Sequence, residues 1–189
     1  SYIIVNINVH NEKGVYVPDD NLRLLIDNNS CWSDDYETCS EEEKYVSIEK
    51  FESFTTLGTL TDIWSGQYTS LTSIKDFTGM EAMINLEFIN ARIDDKATVL
   101  DLSNATKLKG VRIYSHYHPF PKTDLLLPQG SNLKWLNSNT SVTNSELRKL
   151  ANLEKLSLGG NLRYENLDLS KNIKLTSIQA NFSQEDYGN

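Results

Sequence analysis

Two segments of this chain copy each other. LDLSNATKLKGVRI (100–113) and LDLSKNIKLTSIQA (167–180) share Leu, Asp, Leu, Ser, Lys and Leu at a fixed offset of 67, from Leu100 to Leu167. The same offset carries Asn85-Leu86-Glu87 onto Asn152-Leu153-Glu154, Met83 onto Leu150, Ile89 onto Leu156 and Ala91 onto Leu158. An offset of 67 is about three units of roughly 22 residues. A finer pattern, apolar-x-x-apolar-x-apolar, occurs at Leu86, Ile89, Ala91; at Leu108, Val111, Ile113; at Leu153, Leu156, Leu158; and at Leu175, Ile178, Ala180, with a weaker copy at Leu133, Leu136, Ser138. Its leading residues are 22, 25, 20 and 22 apart, and an earlier, degenerate unit begins near Leu57 and Leu60. One such unit cannot bury its own leucines, but stacked units share a core and a parallel sheet. The 25-residue spacing implies an insertion.

Each unit reads as a short strand followed by a return within about a dozen residues. Ser103 and Ser170 suit the start of a one-turn helix on that return, where a hydroxyl can cap free N–H groups. Leu126, Leu147 and Leu150 read as core residues of the returning side.

Over roughly residues 57–183 the chain resembles the leucine-rich repeat family. LDLSKNIKLTSI is similar to the repeats of secreted Bacteroidetes leucine-rich proteins. IKDFTGMEAMINLEFI (74–89) is similar to the internalin-like pattern, in which an Ile-x-Asp-Leu-x-Gly segment precedes the next strand. VPDDNLRLLI (17–26) resembles the opening of the helical N-terminal cap of such proteins. The resemblance implies an α/β fold: a right-handed leucine-rich repeat solenoid with a parallel sheet on its concave face. A strand and small helical cap would occupy 1–56, and about five to six units would occupy 57–189, all in one continuous structural domain. The chain departs from the family in one respect. Typical repeats place Asn three residues after the last apolar strand position; Asn161 obeys, but Asp94, Ser141 and Ser183 take the equivalent slots.

Residues 1–10 alternate like a strand. A helix is expected over 18–28, with Pro18 and Asp19 or Asp20 at its start and Leu22, Leu25 and Ile26 on its apolar face. A second is expected from about 40 to 54, opened by a Ser40–Glu43 capping box and burying Val46, Phe51 and Phe54. Cys31 and Cys39 bracket seven residues. Two readings stay open for them, a disulfide in an oxidising compartment and two free thiols; their spacing fits no zinc motif.

Chemistry is hard to place on this chain. It has no P-loop, GxGxxG, GxSxG or HExxH. A net charge of −8 argues against a nucleic-acid or anionic-membrane partner. No apolar run approaches the ~20 residues of a membrane helix. His116 and His118 form a His-x-His pair, yet His116 falls three residues after Ile113, in the slot of Asn161. It is expected to turn inward and bond backbone, and no third metal ligand is identified. No catalytic residue, cofactor or metal is therefore expected.

Binding fits better. Residues between the apolar strand positions face the concave surface: Phe88 and Asn90; Gly110, Arg112 and Tyr114; Trp135 and Asn137; Lys155 and Ser157; Ser177 and Gln179. Phe88, Tyr114 and Trp135 place large aromatics on adjacent strands, as interfaces favour, and Arg112 adds a charge. Tyr117 and Phe120, in the aromatic, proline-stiffened stretch YHPFP, add a rim. The expected ligand set is Phe88, Asn90, Arg112, Tyr114, Tyr117, Phe120, Trp135, Asn137 and Lys155. The resemblance implies a non-enzymatic secreted or cell-surface protein, lipid-anchored through a removed N-terminal signal in one version, recognising a protein or glycan. A structural or adhesive spacer is the alternative, and an enzyme or metal protein using the 114–124 loop is a third. The C-terminal strand edge is expected to be covered by a short polar tail, a missing segment or a partner chain, the last giving self-association. Four N-x-S/T sequons, at Asn28, Asn104, Asn139 and Asn181, matter only in a eukaryotic secreted protein.

Overall fold

The computed structural model describes residues 10–11, 14–27, 40, 42–58, 73–115, 123–130, 132–140, 142–159 and 167–181. In chain order its elements are β1 (His10–Asn11), β2 (Gly14–Tyr16), α1 (Asp20–Asp27), β3 (Tyr45–Val46), α2 (Ile48–Ser53), β4 (Thr56–Leu57), β5 (Ser73–Ile74), a 3-10 turn at Met80–Ala82, β6 (Phe88–Ile93), β7 (Val99–Asp101), β8 (Gly110–Tyr114), β9 (Asp124–Leu126), β10 (Trp135–Ser138), α3 (Asn144–Arg148), β11 (Lys155–Gly159) and β12 (Ser177–Asn181).

A parallel sheet runs β4-β6-β8-β10-β11-β12, with β5 pairing the far end of β6. Its register is the one implied by the repeat: Phe88 pairs with Gly110, Gly110 with Trp135, Trp135 with Lys155 and Lys155 with Ser177. The architecture is a parallel-sheet β-solenoid of about four turns with few helices. Every turn makes the same backbone bonds at the strand's start. The carbonyls of Thr55, Glu87, Lys109, Lys134 and Glu154 each accept two successive N–H groups of the next turn; Lys109 N and Gly110 N, for example, lie 2.7 and 3.1 Å from Glu87 O.

The return side repeats as well. Before β8, Ala105 N donates to Leu102 O and Leu108 N to Ala105 O, both at 3.0 Å; Met80-Met83-Leu86, Leu147-Leu150-Leu153 and Leu169-Asn172-Leu175 make the same pair of tight turns. These turns aim one residue every third position inward, apolar at each of these positions except Asn172. Leu86, Leu108, Leu133 and Leu153 are fully buried, and burial of each such side chain is worth about 1.5–3 kcal/mol. Leu147 and Leu150 join that core as expected.

Several local expectations are corrected. Ser103 and Ser170 start no helix. Asp101 and Asp168 close turns there instead, their Oδ1 atoms accepting from Ser103 N at 2.8 Å and Ser170 N at 2.9 Å, because an aspartate carboxylate reaches the N–H two residues on. Leu126 is half-buried, and its neighbours Leu125 and Leu127 fill the core. These residues lie in or beside β9, which falls within the longest repeat spacing and pairs with β7 of the preceding turn in a two-stranded parallel ladder. Leu57 pairs with Ile89, so it occupies the second apolar slot and does not lead its unit; Leu60 lies outside the described residues. Ser138 fills a core slot fully buried, its Oγ accepting from Thr140 N at 3.1 Å.

The N-terminal elements pack on the solenoid's first turn. β1, β2 and β3 form a small antiparallel sheet. α1 covers 20–27 of the expected 18–28, burying Leu22 and Ile26. The expected 40–54 helix is only α2. Ser40 and Glu43 do make capping-box bonds, Ser40 N to Glu43 Oε2 at 2.7 Å, but the chain then runs through a turn into β3. Ser47 opens the helix, accepting from Lys50 N. Val15, Val17, Leu22, Val46 and Phe51 belong to the same hydrophobic cluster as the repeat leucines. Gly79, at φ 101°, lets the chain pass under β2: a Cβ there would lie 2.8 Å from Tyr16 O. Of the expected strand over 1–10, only His10 is among the described residues.

Candidate functional site

Alternation along each strand sends every second residue away from the core. Stacked in register, these outward residues form rows across the sheet. One runs Thr56, Phe88, Gly110, Trp135, Lys155, Ser177; the next runs Asn90, Arg112, Asn137, Ser157, Gln179; a third pairs Arg92 with Tyr114. Seven of the nine expected ligand residues thus share one sheet face. Tyr117 and Phe120 lie outside the described residues, as do His116, His118, Asn161, Cys31 and Cys39.

The centre of the face is a ring pair. Phe88 and Trp135 stand on β6 and β10, which flank β8, so their backbones are about 10 Å apart at a strand spacing of ~4.8 Å. Their ring centroids are only 5.8 Å apart, with planes 29° from parallel. The rings close over Gly110, the residue between them in register, because it carries no side chain. Both remain half-buried. Beside them, Arg112 sets its guanidinium 5.3 Å from the Tyr114 ring centroid, at cation–π range. Arg112 is 5% exposed, Tyr114 7% and Asn90 4%, so these three are built into the face and the accessible surface belongs to Phe88, Trp135, Asn137 and Lys155.

Charged ladders border the rows where the strands begin. Lys109 Nζ lies 2.6 Å from Glu87 Oε2 and Lys134 Nζ 3.1 Å from Glu154 Oε1. Lys107 Nζ donates to Asn85 Oδ1 at 2.7 Å, and Lys174 Nζ to Asn152 Oδ1 at 2.8 Å, the same pair one offset of 67 later. Exposed pairs of this kind contribute little to stability.

Sequence reasoning missed the residue that pins the far end of the face. Asn139 Oδ1 accepts from Ser115 N, and Asn139 Nδ2 donates to Ser115 O, both at 2.8 Å. This amide ties β10 to β8 from the position directly after the strand, not three residues after its last apolar slot. Its only sequence signal was a sequon. Of the ladder slots, Asp94 alone is described, and its Oδ1 accepts locally from Lys96 N at 3.2 Å.

Elsewhere, Pro18, Asp19, Asp20, Asn21, Lys75 and Asp76 line a cleft. Its buried carboxylate is already engaged: Asp19 accepts from Leu22 N at 2.9 Å, Lys75 N at 2.8 Å and Asp76 N at 3.1 Å. Among the described residues no group of three His, Cys, Asp or Glu could hold a metal ion, and no helix is long and apolar enough to cross a membrane. No protein-family model matches the chain, and no curated protein matches it.

Proposed function

We propose that this chain is a leucine-rich repeat protein of bacterial surface type, secreted or displayed at the cell surface, that binds a protein or glycan on its open sheet face and catalyses nothing. The observation that carries the reading is the row Phe88, Gly110, Trp135, Lys155 on adjacent strands, with its two rings stacked at 5.8 Å and half-accessible. Aromatic anchors held rigid beside amides and a cation are what recognition surfaces favour. The recurring 22-residue spacing and its paired return turns support the repeat-family reading, and the packing of α1 and α2 on the first turn supports their role as its cap. Display at the surface, with or without a lipid anchor, rests on the resemblance alone.

The test is a defined glycan array and a panel of purified extracellular proteins, probed with the wild-type chain and with Trp135→Ala and Lys155→Ala. The reading expects a ligand whose binding both variants weaken at least about tenfold, a loss of ~1.4 kcal/mol, with melting temperature nearly unchanged. A second reading, the structural or adhesive spacer, is favoured by the burial of Arg112 and Tyr114 against each other. It gains if neither panel yields a ligand, or if the variants chiefly unfold the protein.

A further inference from the structure

We propose that the ligand of the open sheet face is a polysaccharide whose sugars carry carboxylates; the inference rests on the binding-face reading above and names the chemistry of its ligand. The face is opposite in charge to the chain. The sequence holds 26 Asp and Glu against 18 Lys and Arg, yet β4, β6, β8, β10, β11 and β12 contain no Asp or Glu. Their three outward rows carry one cation each: Lys155 in the first, Arg112 in the second and Arg92 in the third. A patch of one sign on a molecule of the other concentrates oppositely charged ligands at itself.

The border of the face adds a second observation. Glu87, Lys109, Lys134 and Glu154 directly precede Phe88, Gly110, Trp135 and Lys155, so they form one row across consecutive turns. Each glutamate is held by a lysine, Glu87 by Lys109 at 2.6 Å and Glu154 by Lys134 at 3.1 Å, which offsets the two carboxylates. The order leaves both lysines in the middle of the row, next to Gly110 and Trp135. Like charges one strand apart repel. A ligand carboxylate seated beside them and Lys155 relieves that repulsion and gains charge-assisted hydrogen bonds.

Sugar fits the rest of the face better than polypeptide does. Among the described residues of the rows, Phe88 and Trp135 are the accessible large apolar side chains, and each covers part of the other. A standard protein interface buries about 800 Å² per partner around an apolar core. Beside the rings stand Asn137, Ser157, Ser177 and Gln179. Amides and hydroxyls both donate and accept, as the hydroxyls of a sugar do. The electron-rich face of an indole attracts the polarised C–H groups of a sugar ring.

Calorimetric titration of the chain with polygalacturonate and with alginate tests this. The methyl ester of polygalacturonate serves as a neutral sugar on the same backbone, and polyglutamate as an acidic chain without sugar. The expected result is binding of a polyuronate at least about tenfold tighter than of the ester or of polyglutamate, weakening as sodium chloride is raised. Lys155→Glu and Trp135→Ala should each raise the dissociation constant at least about tenfold. Lys171→Glu, the same charge change at an exposed lysine of the return side, should leave it unchanged. If a face variant fails to fold, the wild-type comparison with the ester decides. Binding of neither polyuronate overturns the inference, and the face reading then rests on the array and the protein panel. Equal binding of the ester, or tighter binding of polyglutamate, overturns it too; where Trp135→Ala weakens that binding, the face still recognises a neutral glycan or an acidic protein. Polyuronate binding that Lys155→Glu leaves intact also overturns it.

Discussion

Asp168 ties two turns together with one carboxylate. Oδ1 accepts from Ser170 N at 2.9 Å, and Oδ2 accepts from Arg148 Nε at 2.9 Å and Nη2 at 2.7 Å. Hydrogen bonding to Ser170, then the Arg148 guanidinium, holds its pKa well below the ordinary value of 3.8. A depressed folded pKa contributes stability that is present above the ordinary aspartate value and lost as pH falls towards the folded one. Asp168→Asn should therefore melt below wild type at neutral pH, with the gap closing as pH drops below about 3.8; thermal scans that show a constant gap would refute the assignment. Glu146 is the buried counterpart. Its Oε2 accepts from Leu127 N at 2.7 Å, and Lys149 Nζ lies 2.6 and 2.7 Å from its two oxygens. Glu146→Ala leaves that N–H and the ammonium without the carboxylate and should cost about 1–3 kcal/mol in urea unfolding. Lys149→Ala should cost less, because the lysine is more exposed and the Leu127 N–H keeps its bond to Glu146, although the lysine's own bond to Leu127 O is lost.

Among the elements, the repeat strands β6, β8, β10, β11 and β12 and the helix α1 were legible, whereas α2 and α3 were not, for a physical reason. β6, β8 and β11 each put at least two apolar side chains into a shared core, and the same pattern recurs along the sequence, so Leu108, Val111, Ile113 and their equivalents declare both strand and register. α2 has no such repetition. Ser40 and Glu43 carry a helix-start signature that serves a turn equally well, and Tyr45 and Val46 are then drawn into pairing with β2, leaving Ser47 to start the helix. Propensity yields to tertiary contact there. The face of the sheet was legible by alternation, but its burial was not: whether Arg112 and Tyr114 meet solvent depends on packing that no strand pattern encodes. Gly110 is where strand and face meet. Gly110→Val keeps the strand's propensity but inserts a branched side chain between Phe88 and Trp135. Overpacking of this kind should cost about 1–3 kcal/mol and weaken the aromatic signal in near-ultraviolet circular dichroism, with far-ultraviolet strand signal retained. An unchanged near-ultraviolet spectrum would mean that the rings do not meet over Gly110.

For the whole molecule, one hydrophobic cluster reaches from Val15 in the N-terminal sheet to Leu158 in β11, while Leu167, Leu169 and Leu175 of the next turn are only partly buried against it. In a solenoid each turn is stabilised by its two neighbours, so burial sets a gradient of local stability along the chain. Leu108, fully buried between turns, should cost about 2–5 kcal/mol on truncation to Ala; Leu175→Ala, at the same slot in the last described turn, should cost clearly less because less of it is removed from water. The two substitutions test slot equivalence against position, since only the neighbours differ. Hydrogen exchange under native conditions reads the same gradient without mutation. Amides of β8 should open only with global unfolding, whereas those of β12 should open through fraying of the last turn at lower free energy. Equal protection of β8 and β12 at low concentration would mean that the last turn is already as well covered as the middle of the solenoid, and the gradient read from burial would not hold.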